Sequence, residues 1–208
     1  MRFLHPLNKI LDSEPKVRIL RFFVETGTEI SGLQLARLLK LSPTTVHKAM
    51  HELMVEKVVR MRAVGRAHSF CLDHENWVVI KLLKPMFENE GRILTDLKEA
   101  LALAIKRSVL NKKILSAVLF GSVHEKTEQP GSDIDLFIVV KNQVMVQPVE
   151  KMISEASASL IGRVGMVVAP FVISLDEFKK KYKAGASIVR STLNAHDKIY
   201  GTSLERLL

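Results

Sequence analysis

The chain has 208 residues, enough for two small domains, and 47% of them are apolar, so each half can bury a core. Its single cysteine, Cys71, excludes an intrachain disulfide, and no apolar run reaches the ~18 residues that a membrane span needs. The formal charge is +9, with the larger share of the excess in the N-terminal half, which points that half toward a polyanionic partner.

Residues 1–12 lack the apolar core of a signal peptide, so a cytoplasmic protein is expected. Ser13 and Pro15 mark the start of a helix whose apolar stripe is Val17, Ile19, Leu20, Phe23 and Val24; Gly27 ends it. Ser31 caps a second helix with Leu35, Ala36 and Leu39 inward. After a short turn, Ser42 caps a third, with Pro43 at its first position. Here Val46, Ala49, Met50 and Leu53 face the core, while Thr44, Thr45, His47, Lys48 and His51 remain outside.

This is the helix-turn-helix arrangement. A helix fits the major groove of B-DNA, so Thr44, Thr45, His47 and Lys48 are the candidate base-reading residues. Two runs follow in which Val59, Met61, Phe70 and Leu72 alternate with polar or basic residues around Gly65. They predict a two-stranded wing, with Arg60, Arg62 and Arg66 placed to meet phosphates. A helix-turn-helix used only for protein contact is the competing reading; the basic wing favours double-stranded DNA. His47 and His51 stand four apart, but with no third ligand near in sequence they read as solvent- or DNA-facing.

Residues 77–83 are an apolar stretch closed by Pro85, and a second helical pattern runs through Ile93, Leu97, Leu101, Ala104 and Ile105. The boundary or hinge is expected between Pro85 and Gly91. The cluster Lys179-Lys180-Lys181 with Lys183 reads as a solvated helix face.

Residues 114–120 form a buried strand that runs into Gly121-Ser122. Downstream, Gly131-Ser132-Asp133-Ile134-Asp135 opens a second apolar strand. Residues i and i+2 of a strand share a face, so Asp133 and Asp135 project together. Two such carboxylates repel unless a cation lies between them, and hard oxygen donors suit Mg²⁺ or Mn²⁺. Gly121 allows close approach of a phosphate, and Ser122 adds a hydroxyl.

The segment Leu119-Phe120-Gly121-Ser122 with Pro130-Gly131-Ser132-Asp133-Ile134-Asp135-Leu136 resembles the signature of minimal nucleotidyltransferases of the DNA polymerase beta superfamily. Ser174-Leu175-Asp176-Glu177-Phe178 and Ile199-Tyr200-Gly201 look like the ends of such domains. The N-terminal half, up to Phe87-Glu88-Asn89-Glu90, resembles the regulator-like domain fused to this module in some prokaryotic proteins. The resemblance implies an α+β chain: a winged helix over 1–75, a helical linker over 76–107, and a small mixed-sheet nucleotidyltransferase-like domain over 108–208. It implies a metal-dependent nucleotidyl transfer from a nucleoside triphosphate. Gly121, Ser122 and Ser132 would bind the nucleotide, and Asp133 and Asp135 would be the metal-binding catalytic pair.

Three departures stand out. Glu125-Lys126 occupy the place of a common Arg-Gly after the Gly-Ser turn. The strand expected at 166–173 holds Pro170 and no acid to serve as a third carboxylate. No acceptor site is legible. Ser174 and Glu177 read as a capping box. Three readings therefore stay open: a nucleotidyltransferase localised or regulated by its winged helix, a DNA-binding regulator whose degenerate transferase domain senses nucleotide or mediates assembly, and a purely structural dimer module. A homodimer is expected because palindromic sites reward two-fold symmetry.

Overall fold

The computed structural model describes residues 2–64, 67–125 and 127–208. Gly65 and Arg66, assigned above to the wing tip, and Lys126, assigned to the turn after Gly-Ser, lie outside the described residues. The chain divides into two compact units, one up to Ile93 and one from Leu94. None of the helices among the described residues is long and apolar enough to cross a membrane.

The first unit is a winged helix. A short helix α1 (Leu7–Ile10) precedes α2 (Glu14–Thr26), then strand β1 (Ile30–Ser31), α3 (Gly32–Leu38), α4 (Pro43–Val55) and the hairpin β2 (Val59–Val64) and β3 (Ala67–Leu72). Sequence punctuation sets these bounds. Gly27 ends α2 in the left-handed region at φ 61°, where a side chain would be strained. Ser31 and Gln34 form the capping box of α3, and the Ser42 hydroxyl accepts the Thr45 N–H at the head of α4. Ser13 precedes α2 without a side-chain cap, and Pro15 supplies the start. The sheet order is β1-β3-β2, with Ile30 opposite Phe70.

Ile19, Leu20 and Phe23 of α2, Leu35 of α3, and Val46, Met50 and Leu53 of α4 make the core, closed by Val59 and Leu72 of the hairpin. Lys16 is the charged exception. Its ammonium is buried, yet it donates to the Lys9 carbonyl and Asp12 at 2.8 Å each and to Glu52 at 2.6 Å, so α2 is tied to α4. Burial opposes the charge, but the bonds to Asp12 and Glu52 outweigh it and the Lys16 pKa is raised.

The expected break at Pro85 is absent. A five-residue π-helical segment (Val79–Leu83) leads directly into α5 (Lys84–Arg107). Proline has no N–H for the carbonyl four residues back and its ring crowds it; the widened π turn before Pro85 relieves both. The stretch read as a linker contributes to both cores: Val79, Leu83 and Phe87 to the first, Leu97, Leu101 and Ile105 to the second.

The second unit holds a four-stranded sheet of β4 (Ile114–Phe120), β5 (Ile134–Val140), β6 (Val168–Ser174) and β7 (Asp197–Gly201), in the order β6-β5-β4-β7. β4 pairs antiparallel with β5 and β7; β5 and β6 are parallel, joined through α7 (Val146–Val164). Pro170 is accommodated because β6 is an edge strand. One face packs on α5 and α7 through Leu101, Ile105, Val149 and Ile153. The other meets α8 (Leu175–Lys183) and α9 (Ser187–Asn194) through Phe178 and Val189. The Ser174 hydroxyl accepts the Glu177 N–H at the start of α8. The whole is α+β, with a small mixed sheet in the second unit.

Candidate functional sites

Strand alternation builds the acidic site. Ile134, Leu136 and Ile138 enter the core beneath α5 and α7, whereas Phe137 and Val139 enter the opposite one. Asp135 therefore lies on the face of Phe137. In the ladder it stands opposite Phe120 on β4 and Ala169 on β6. Its floor is aromatic: Phe137 stacks on Phe171 at 5.4 Å between centroids and meets Phe120 and Phe178 edge-on at 6.0 and 6.1 Å. Asp133 is exposed just before β5, whose ladder begins with the Ile134 N–H bonded to the Val167 carbonyl at 2.8 Å. Burial, and then the neighbouring Asp133 charge, raise the Asp135 pKa above the ordinary carboxylate range.

Gly121 closes this site from β4. It has φ 75°, and a Cβ there would stand 2.1 Å from Asp135 Oδ2. The carboxylate thus occupies the space that any side chain at 121 would fill. Ser122 begins the one-turn helix α6 (Ser122–Glu125), whose Glu125 N–H returns to the Gly121 carbonyl at 3.0 Å. Glu125 itself is exposed. Ser132 is used within its own turn: its hydroxyl accepts the Gln129 N–H at 2.9 Å, and its O–H remains available to donate.

The donor set decides which metal environment the site could build. Among the described residues there is no cluster of three or more His, Cys, Asp or Glu side chains able to hold an ion. Ala169, beside Asp135, carries no donor. Two carboxylates without a third do not make an all-protein cage. They do suit Mg²⁺, which commonly takes one or two carboxylates and fills its remaining positions with waters and substrate phosphates.

Residues 104–169 match the family model described as Polymerase beta, Nucleotidyltransferase. This segment is thus similar to the nucleotidyltransferase domains of that family. It contains Gly121, Ser122 and both aspartates. Solved structures similar to the chain include HlyU from Vibrio cholerae N16961, 22% identical over 42% of this chain and 87% of that one, with TM-score 0.35. The spectinomycin adenyltransferase AAD(9) from Enterococcus faecialis, solved with ATP and spectinomycin, is 18% identical over 53% of this chain and 58% of that one, with TM-score 0.40. A toxin-antitoxin solved with AMP-PNP is 16% identical over 52% and 76% of the two chains, with TM-score 0.32. No curated protein matches the sequence.

The winged helix presents the other candidate surface. Thr44, His47 and Lys48 are exposed on α4, and Thr45 is half-buried with its hydroxyl 2.7 Å from that of Ser42. Thr44 and His47 also border an apolar cavity of about 430 Å³ with Leu33, Met50 and Phe70, far in sequence from the acidic pair. The wing arginines are less free than their sequence suggests. Arg60 pairs with Asp73 at 2.6 Å and Glu75 at 2.9 Å, and Arg62 with Glu29 at 3.5 Å. Glu29 also receives the Ser69 hydroxyl.

Sequence reasoning missed these three carboxylate partners and the aromatic floor. The floor had a signal in the period-2 spacing of Asp135 and Phe137. The partners had none, since each approaches through strand pairing: Asp73 and Glu75 follow β3 of the hairpin, and Glu29 precedes β1, which pairs with β3.

Proposed function

We propose that the nucleotidyltransferase domain binds a nucleoside triphosphate with Mg²⁺ or Mn²⁺ and transfers a nucleoside monophosphate to an acceptor, while the winged helix binds double-stranded DNA. The observation that carries the first part is the fit of Asp135 against Gly121, with Asp133 two residues away. Asp133 and Asp135 would hold the cation, which supplies charge neutralisation at the phosphates and at the departing pyrophosphate. Gly121 admits the phosphates close to the backbone, and the Ser122 and Ser132 hydroxyls donate to their oxygens. The aromatic floor excludes water behind Asp135 and strengthens its pull on a cation.

The second reading, a DNA-binding regulator whose domain senses nucleotide without turnover, is favoured by Ala169. Beside Asp135 it leaves no carboxylate on β6 to take the acceptor proton. Thermal melts separate nucleotide binding from its absence. Mn²⁺ with ATP or GTP should raise the melting temperature of the wild type, because a ligand that prefers the native state stabilises it. The double variant Asp133→Asn with Asp135→Asn should lose that response. A wild type indifferent to millimolar additions overturns the nucleotide reading. Labelled nucleoside triphosphate incubated with lysate then separates the two functions: transferred label supports the enzyme, and binding without transfer supports the sensor.

For DNA, the exposed Thr44, His47 and Lys48 on α4 support groove contact, with Arg60, Arg62 and Arg66 on the backbone. A homodimer on a two-fold site is the arrangement this reading favours.

A further inference from the structure

Outside the acidic pair, three polar side chains from distant elements meet at one oxygen. Asp197 Oδ2, at the start of β7, lies 2.8 Å from Lys98 Nζ of α5 and 3.2 Å from His124 Nδ1 of α6. Asp197 stands opposite Leu119 in the ladder, and Leu119 belongs to the core beneath α5 and α7, so this cluster is on the other face from Asp135. The hydrogen bond from Lys98, and then that from His124, hold the Asp197 pKa below its ordinary range against the effect of burial. The carboxylate is therefore ionised at neutral pH and can only accept, so its pairing with His124 requires a proton on Nδ1.

The location gives the cluster its meaning. His124 sits on the single helical turn that begins at Ser122, directly after Gly121. One turn of helix has little stability of its own. Val123 anchors it to the core, and the bond from His124 to Asp197 ties it to β7. The three side chains keep 27%, 34% and 25% of their surface exposed, so filling the core did not call for them.

We propose that Asp197, braced by Lys98, acts through His124 as a positioning group that holds the Gly121-Ser122 turn in the shape that receives nucleotide phosphates. The proposal rests on the nucleotide-binding reading above. His124 is a positioning residue here and has no assigned contact with the reacting atoms.

The test is ATP affinity in the presence of Mn²⁺, measured on the full chain by equilibrium dialysis. His124→Leu keeps bulk but has no donor and should weaken ATP about tenfold, the scale of one hydrogen bond to a charged group. His124→Asn keeps an N–H close to the Nδ1 position and should restore most of the affinity. Asp197→Ala, which has no acceptor, should weaken binding as His124→Leu does. The double variant His124→Leu with Asp197→Ala should be no weaker than either single one, because the two act through one contact. Equal losses for Leu and Asn at 124 would reduce His124 to a packing role and overturn the proposal, as would additive losses in the double variant. If His124→Leu does not fold, Lys98→Met reads the same brace: weakened ATP binding supports it and unchanged binding overturns it. A wild type that binds no ATP removes both the nucleotide reading and this one. A wild type that binds ATP, with every variant equal to it, removes this one alone.

Discussion

At the scale of single residues, the acidic site is shaped by the absent side chain of Gly121, which leaves room for the Asp135 carboxylate, and by the burial that desolvates that carboxylate. Gly121→Ala would place a methyl 2.1 Å from Asp135 Oδ2 and hold alanine at φ 75°. The backbone strain alone costs about 1–3 kcal/mol, and displacement of the carboxylate should abolish the Mn²⁺–ATP response in a thermal melt. Asp135 makes a second prediction. Its folded pKa is raised, first by burial and then by Asp133, so the native state holds that proton more tightly than the unfolded chain. Its contribution to stability is complete below the ordinary carboxylate pKa and is lost as pH rises through the raised one. Metal-free melts across this window should show the loss. Asp135→Asn should remove it and melt higher at neutral pH, and Mn²⁺ should offset it in the wild type alone.

At the scale of elements, the wing is the part whose chemistry depends most on its neighbours. In the proposed DNA-binding role, phosphates would compete with Asp73 and Glu75 for Arg60, and with Glu29 for Arg62. Removing one carboxylate partner from each arginine should therefore tighten DNA binding. The variant Glu29→Gln with Glu75→Gln should bind duplex DNA more strongly than wild type at moderate salt. Arg60→Ala with Arg62→Ala should bind more weakly, with a log–log salt slope reduced by about 0.9 for each phosphate that an arginine no longer neutralises. Gel-shift titrations at several salt concentrations measure both, and indifference to all four changes would remove the wing from the interface. Helix α4 is held from behind by Lys16. Asp12 and Glu52 both have lowered pKa values, each first through its hydrogen bond to Lys16. The stability they provide is present at neutral pH and lost as pH falls through their folded values. Lys16→Met should lower the neutral melting temperature and flatten that acid dependence.

At the scale of the whole molecule, each unit carries its own core, and α5 supplies buried side chains to both. Leu101 has no exposed surface and belongs to the second core. Leu101→Ala should cost about 2–5 kcal/mol there and blunt the nucleotide response. Duplex binding by the winged helix should survive it at temperatures where the second unit is still folded. Leu20→Ala, in the first core, should reverse the pattern. A variant that loses both functions together would show that the two cores unfold as one.

What the sequence determined by itself was local. Ser31, Ser42 and Gly27 mark helix ends because caps and left-handed positions act over three or four residues. The bounds of β4 and the glycine of the following turn were legible because a strand's alternation and a turn's glycine are written in consecutive positions, whereas β5 begins at Ile134 and holds Asp135 without Asp133. Pro85 misled for the same reason: read alone it ends a helix, and only the preceding π turn shows how the chain continues. Everything that depends on side chains meeting across the fold was decided by tertiary structure. Arg60 and Glu75 are 15 positions apart, and Lys98 and Asp197 are 99 apart. The strand pairing that sets Ala169 beside Asp135 arises in the same way, through the parallel return of β6 after α7. Ion pairs and ladder neighbours are fixed by distance in space, and no local pattern encodes a partner that only a sheet or a helix crossing brings within reach.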